Sequence, residues 1–342
     1  MTAQEDVKKF GFVNQPIDSN IDLKSEILRM KKEKNAVILG HFYINSELQD
    51  ISDYVGDSLQ LAQMAAKTDA EIIVFLGVNF MGETAKIICP DKKVIIPDLN
   101  AGCSLADSCP ADEFAKFIAE HPGHTVVSYI NTTAAIKSMT DITVTSSNAK
   151  QIVDSLPADE KIIFGPDKNL GGYINAQTGR NMVLWNGACH VHRRFDLEAI
   201  LKLKEEHPGA KIIAHPECEK PVVIVADFVA STAGLLKYVK NNDAKEFIVV
   251  TESGILHQMR KAVPEKTLIP APALDSTCGC NDCNFMKLNT LEKLYNCLKY
   301  EMPEINISED IREKAYRPIK RMLDVSAKLG LERMIIIVIS GV

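Results

Sequence analysis

Three places along the 342-residue chain repeat one spacing of chemically suggestive residues. His41 is followed after 17 residues by Ser58 and after 62 by Cys103. Tyr129 is followed after 17 by Ser146 and after 60 by Cys189, and His215 after 17 by Thr232 and after 68 by Cys283. Each first residue closes an apolar run. Each hydroxyl opens a stretch with helical spacing: DSLQLAQMA, SSNAKQIV and STAGLLKYV. One such coincidence would carry little weight, but three in register indicate a triplicated α/β unit.

Short β-rich runs alternate with helical stretches along most of the chain. Strands are expected at 35–42, 71–77, 93–98, 125–130, 142–146, 161–165, 182–185, 211–215, 222–226, 246–250 and 267–271. Strands without polar alternation, joined by helices, indicate parallel sheets covered on both faces. The predicted fold is α/β: three similar three-layer α/β/α domains with parallel sheets. Their expected extents are 1–115, 116–200 and 201–342, each with one registered cysteine, the last also carrying a C-terminal helical segment.

This register has a geometric consequence. Open parallel sheets bind ligands beyond the carboxyl ends of their strands. A Ser or Thr at a helix start sits beside free backbone N–H groups, where the helix dipole favours an anion. Three units facing one axis would surround a pocket with three anion-binding corners and bring three cysteines together. Taken singly, each hydroxyl reads as an ordinary helix cap; the shared register argues for more.

Composition narrows the partners. The net charge of −6 is spread along the chain, which argues against nucleic acid or an anionic membrane as partner. No apolar run approaches the roughly 20 residues of a membrane span, and the opening MTAQEDVKKF lacks a signal-peptide core. A cytoplasmic location is therefore expected. Nine cysteines are many for a compartment that disfavours disulfides. Cys89, Cys109, Cys218 and Cys297 lie outside the register and read as buried structural residues.

Cys103, Cys189 and Cys283 are too far apart in sequence for the close C-x2-C pairs of a structural zinc site. Common ferredoxin clusters take four cysteines, three closely spaced. One ligand from each repeat suggests instead an iron–sulfur cubane with one open iron, able to polarise a substrate oxygen or nitrogen. Two alternatives stand beside this: zinc held by Cys278, Cys280, Cys283 and His190 or His192, and a redox pair of Cys280 with Cys283. A non-enzymatic cluster carrier would usually saturate its iron with four protein ligands. A zinc hydrolase would favour a histidine-rich set, and no H-E-x-x-H pattern occurs.

The segments GHFY (40–43), GDS (56–58), NAGCSLAD (100–107), SYINTTAAIK (128–137), TSSNA (145–149), WNGACHVH (185–192), AHPE (214–217), TESGILH (251–257) and CNFMKLN (283–289) together resemble the quinolinate synthase family. The resemblance runs from about residue 20 to 330. It implies three α/β domains around a pseudo-threefold axis and a [4Fe–4S] cluster on Cys103, Cys189 and Cys283. It also implies condensation of iminoaspartate with dihydroxyacetone phosphate to quinolinate in NAD biosynthesis, and a functional link to an iminoaspartate-producing enzyme. Substrate-binding positions implied by it are His41, Ser58, Tyr129, Asn131, Ser146, His215, Glu217 and Thr232. Tyr43 and Glu217 match side chains implicated in proton transfer. The chain reads C-G-C-N-D-C at 278–283 where some relatives have C-x-x-C-x-x-C, which leaves a redox role for Cys278 and Cys280 unsupported.

Elimination of water needs a base, and Glu217 beside His215 is the natural candidate. His190 and His192 flank a proposed ligand and read either as donors to cluster sulfur or as exposed structural histidines. Trp185 reads as core. The apolar tail 332–342 matches nothing with a function.

Overall fold

The computed structural model describes residues 1–274 and 281–331, together with the backbone of 337–338. The first unit contains β1 (Ala36–His41), β2 (Tyr54–Gly56), β3 (Ile72–Leu76) and β4 (Lys93–Ile95). The second contains β5 (Thr125–Tyr129), β6 (Ile142–Val144), β7 (Ile162–Gly165) and β8 (Val183–Leu184). The third contains β9 (Lys211–Ala214), β10 (Phe228–Val229), β11 (Glu246–Val250) and β12 (Thr267–Pro270). The strand order is the same in all three: β2-β1-β3-β4, β6-β5-β7-β8 and β10-β9-β11-β12. Pairing among these twelve strands is parallel throughout. A thirteenth strand, β13 (Ile337–Val338), runs antiparallel along the outer edge of β2.

The lack of alternation in the strand sequences has the expected cause. All five residues of β3 and all four of β7 are buried, because helices cover both faces of each sheet. The three sheets are the predicted α/β units around a pseudo-threefold axis. Their first strands, β1, β5 and β9, end at or next to His41, Tyr129 and His215, the residues that open the sequence register.

One expected strand is a helix. Residues 222–225 belong to the helix Lys220–Val225, which has a proline in its first turn, and Ala226 follows it as the extended C-cap. Pro221 lacks the N–H a strand would need but suits a helix start, where that N–H would go unpaired. Val222 points inward and Ile224 is 69% exposed, so the run is apolar without being core. The strand that takes the expected place beside β9, on the edge away from β11, is the next two-residue segment, β10. Neither β10 nor β2 was expected, since two or three residues between turns give no readable period.

The chain does not end with its third unit. Helix Leu291–Tyr300 packs on helix Leu23–Glu33, and Glu304 bridges to Ile95 at the end of β4. Helix Glu309–Lys328 then lies across β6 and helices Asn79–Ile88 and Ala134–Lys137. Glu301 accepts ion pairs from Lys34 at 2.7 Å and Lys93 at 2.6 Å, fastening this segment to the first unit. Among the described residues, no helix is long and apolar enough to cross a membrane.

Candidate active site

The carboxyl ends of β1, β5 and β9 face a common cavity. All twelve residues singled out from the sequence line it: His41, Tyr43, Ser58, Cys103, Tyr129, Asn131, Ser146, Cys189, His215, Glu217, Thr232 and Cys283. Among the described residues, no lysine or arginine lines it. Its acidic members are Asp57, Glu217 and Glu252.

The strand ends fix imidazole tautomers. Tyr43 N–H donates to His41 Nδ1 at 3.2 Å, and Glu217 N–H donates to His215 Nδ1 at 3.4 Å. Each ring therefore accepts at Nδ1, and a neutral ring carries its proton on Nε2. Burial lowers both imidazoles to about 3, with Glu217 opposing the shift, so both are neutral at physiological pH. His215 Nε2 lies 3.3 Å from Ser146 Oγ. Two Nε2–H donors without formal charge thus serve the cavity. Asn131 Oδ1 is buried there without a partner in the protein.

The registered hydroxyls are not the helix caps they resemble. Asp57 caps helix Ser58–Lys67, accepting from Gln60 N at 3.1 Å, and Ser231 caps helix Thr232–Asn241, accepting from Gly234 N at 3.2 Å. Ser58 and Thr232 are first helical residues, and Ser146 precedes a helix that begins only at Ala149. Asp57 and Ser231 cap two of the helices and the helix after Ser146 has no side-chain cap, so none of the three hydroxyls is engaged in capping and all three line the cavity. The buried neighbours also tie the units together: Ser147 Oγ lies 2.6 Å from Asp57 Oδ2 and 2.7 Å from Ser231 Oγ. Tyr43 is held across units as well, its hydroxyl 2.6 Å from Thr232 Oγ1 and 2.9 Å from Thr251 Oγ1.

The cysteine loops have a shared construction. Cys103, Cys189 and Cys283 are unpaired and half-buried, and backbone N–H groups two or three residues further along point at each sulfur. Those donors are Ala106 and Leu105 for Cys103, His192 for Cys189, and Met286 and Phe285 for Cys283. Burial nevertheless pushes the thiols up, to about 12 for Cys103 and about 11 for Cys283, and Cys189 also rises well above its ordinary value. Three thiols on one cavity, with N–H groups aimed at sulfur and no lysine or arginine among the described residues of the wall, suit a soft metal centre that supplies the missing positive charge. Cys278 and Cys280, required by the alternative zinc set and the redox pair, lie outside the described residues. A single-ion alternative does exist in Cys189, His192 and Glu217, whose donor atoms all lie within 4.8 Å of one another. Cys89, Cys109, Cys218 and Cys297 are buried, as expected of structural residues.

Glu217 sits at the electrostatic centre. Burial would raise its carboxyl, but His192, His215 and the Tyr129 hydroxyl hold it down, at about 2. Tyr129 donates to Oε1 at 2.6 Å. His192 Nδ1 lies 3.2 Å from Oε2, at ion-pair distance but off hydrogen-bond alignment. The His192 ring stacks on His215, centroids 4.5 Å apart, and its Nε2 lies 3.0 Å from Thr251 Oγ1. His192 is thus a buried wall residue rather than an exposed structural one. His190 instead turns to the first unit, its Nδ1 2.6 Å from Ser104 Oγ, and joins the Cys189 loop to the Cys103 loop.

Glu252 and Asp57 were missed on sequence. Asp57 was hidden by the adjacent serine, which carried the register. Glu252 had a signal of its own: it follows His215 by 37 residues, while Asp167 follows Tyr129 and Asn79 follows His41 by 38. Burial raises Glu252 to about 7 against the pull of Lys287. Asp167, behind Cys189, also rises to about 7, through burial and then the nearby Glu217 charge.

The family profile described as quinolinate synthetase A protein matches residues 25–324. A quinolinate synthase from Synechococcus sp. is 57% identical over 310 residues, covering 91% of this chain and 97% of the relative. One from Microcystis aeruginosa is 58% identical over 305 residues, 89% of this chain and 95% of the relative. One from Chloroherpeton thalassium is 56% identical over 321 residues, 94% of this chain and all of the relative.

Proposed function

The chain belongs to the quinolinate synthase family, and from that premise we propose that it makes quinolinate for NAD from iminoaspartate and dihydroxyacetone phosphate in the cytoplasm. The balance is one quinolinate, one phosphate and two waters per pair of substrates. Cys103, Cys189 and Cys283 would hold a [4Fe–4S] cluster, which when bound supplies a Lewis acid with one iron open to a substrate oxygen or nitrogen. The observation that carries this reading is the convergence of three registered thiols, one per unit, on the cavity that also holds Glu217. The domain extents given above, one per registered cysteine, belong to the same reading.

The protein's own residues do three kinds of work. His41 and His215 offer Nε2–H donors, and Ser58, Ser146 and Thr232 offer hydroxyls, to the carboxylates and the phosphate. Such fixed neutral donors bind anions without a lysine that would itself need a counter-ion in the empty state. Asn131 adds an unpaired carbonyl oxygen able to accept from an imine or hydroxyl.

Glu217 takes up the proton removed during dehydration. In the empty cavity its low pKa makes it a weak base. A bound dicarboxylate brings like charge beside it and displaces water, and both effects raise a carboxyl. The substrate thereby tunes the base that acts on it. Tyr129, bonded to Glu217 Oε1, would pass the proton on, and Tyr43, held between Thr232 and Thr251, would act as a further donor.

The testing experiment is an anaerobic purification followed by an iron count and a quinolinate assay on one sample. The expected result is a brown protein with about four irons per chain that forms quinolinate from the two substrates. A colourless protein that is fully active with zinc would favour the single-ion alternative at Cys189, His192 and Glu217.

A further inference from the structure

The turn after the third strand of each unit carries one buried or half-buried polar side chain bonded to the backbone of that unit's cysteine loop. After β7, Asp167 Oδ2 accepts from the N–H of Cys189 itself at 2.9 Å. After β11, Glu252 Oε1 accepts from the N–H of Cys283 at 3.1 Å. After β3, Asn79 Nδ2 donates to the carbonyl of Leu99 at 2.6 Å, four residues before Cys103. The backbone of Asn79 adds a second tie, its N–H donating to Ala101 O at 2.8 Å.

The chemistry of each residue matches its target. The other oxygen of Asp167 accepts from Asn169 N at 2.6 Å and Leu170 N at 3.0 Å, so both carboxylate oxygens face N–H groups. The other oxygen of Glu252 accepts from Gly254 N at 2.7 Å. An amide in either place would have to turn its NH2 against an N–H. Asn79 faces a carbonyl, and there a carboxylate would be wrong. Where the loop offers a donor the unit carries an acid; where it offers an acceptor the unit carries an amide.

We propose that Asn79, Asp167 and Glu252 are three copies of one positioning residue, each presetting the cysteine loop of its unit before the cluster is bound. This rests on the cluster reading above. A loop already fixed in its binding shape loses less freedom when it ligates, so the three together slow the escape of iron without touching it. Losing one partner behind a metal ligand typically costs 10–100-fold in metal affinity or activity.

The test uses the anaerobically purified holoenzyme and its Asp167→Asn, Glu252→Gln and Asn79→Asp variants. Each is assayed for irons per chain, for the rate of iron release to a chelator, and for the electron paramagnetic signature of the reduced cluster. Far-UV circular dichroism checks the fold. Asp196→Asn is the control: Asp196 caps helix Leu197–Glu206 through Ala199 N at 3.1 Å, and among the described residues its side chain bonds to no cysteine loop. The expected result is iron release roughly 10–100-fold faster in the three variants, with folded spectra and wild-type release in the control. Equal acceleration in Asp196→Asn would reduce the effect to general destabilisation and overturn the proposal. Wild-type release rates in all three variants would overturn it while leaving the cluster reading intact. A wild-type protein that holds no iron would overturn both.

Discussion

The Tyr129 hydroxyl donates to Glu217 Oε1 at 2.6 Å across the contact between the second and third units. The proposed base and its proton partner thus come from different copies of the repeat. Glu217→Gln keeps the side chain's shape but cannot take a proton. It is expected to retain iron and bind a dicarboxylate while turnover falls by roughly 10²–10⁴. Single-turnover quinolinate formation beside an iron count checks this; near-normal turnover with full iron would remove Glu217 from the chemistry.

His192 is the neighbour that does most to keep Glu217 ionised against burial. Replacing it with Gln removes that support, and the Glu217 carboxyl should rise by about one unit or more. The acid limb of the kcat/KM profile should move to higher pH by the same amount. An unmoved acid limb would mean that another group sets it.

The proposed ligand thiols and the buried cysteines should separate cleanly. Serine at Cys103, Cys189 or Cys283 should abolish iron binding and activity, since a hard hydroxyl replaces a soft thiolate poorly. Alanine at Cys89 or Cys297, both packed in the core, should leave iron content and activity nearly intact. Iron lost from the second pair as well would point to unfolding rather than ligation.

Two buried pairs give the metal-free protein opposite pH responses. His41 and His215 sit at about 3 when folded against 6.5 unfolded, so between those values the unfolded chain binds more protons and stability rises with pH. Asp167 and Glu252 sit at about 7 against 3.8 and 4.5, so the folded chain binds more protons and stability falls with rising pH. The pairs oppose each other from pH 4.5 to 6.5. A His41→Asn, His215→Asn double variant keeps only the second response, and its melting temperature should fall as pH rises through that window. A flat or rising melting temperature would contradict the burial argument.

The three anchors Ser58, Ser146 and Thr232 should each bind substrate more weakly as alanine, by roughly ten- to a hundredfold, through loss of a charge-assisted hydrogen bond. Iron content should not change, because Asp57 and Ser231 keep the caps of their helices and the helix after Ser146 has no side-chain cap to lose. Titration with a dicarboxylate measures the loss, and unchanged affinity in all three would end their role as anchors.

Sequence reading reached the cavity because its residues sit at fixed offsets from apolar strands, and the offsets survive folding unchanged. It failed where a property depends on what faces a residue. Residues 222–226 carry a strand's composition, but Pro221 and the solvent beside Ile224 make them a helix. The burial of His192, and its stacking on His215, depend on a contact between units that no local pattern encodes. Asp57 took the capping role expected of Ser58 because an acid one residue earlier satisfies the same N–H group.

The segment that leaves the third unit has a bearing on how the protein is made. Glu304 bridges to Ile95, and Glu301 pairs with Lys34 and Lys93, so the first unit is finished by residues synthesised some two hundred positions after its own sheet. Cys283, too, emerges well after Cys103 and Cys189. On the ribosome the early thiols wait beside an unfinished wall. On the cluster reading proposed above, iron loading would wait for the completed chain, and a truncated or stalled product would present two lone cysteines to oxygen instead of a closed site.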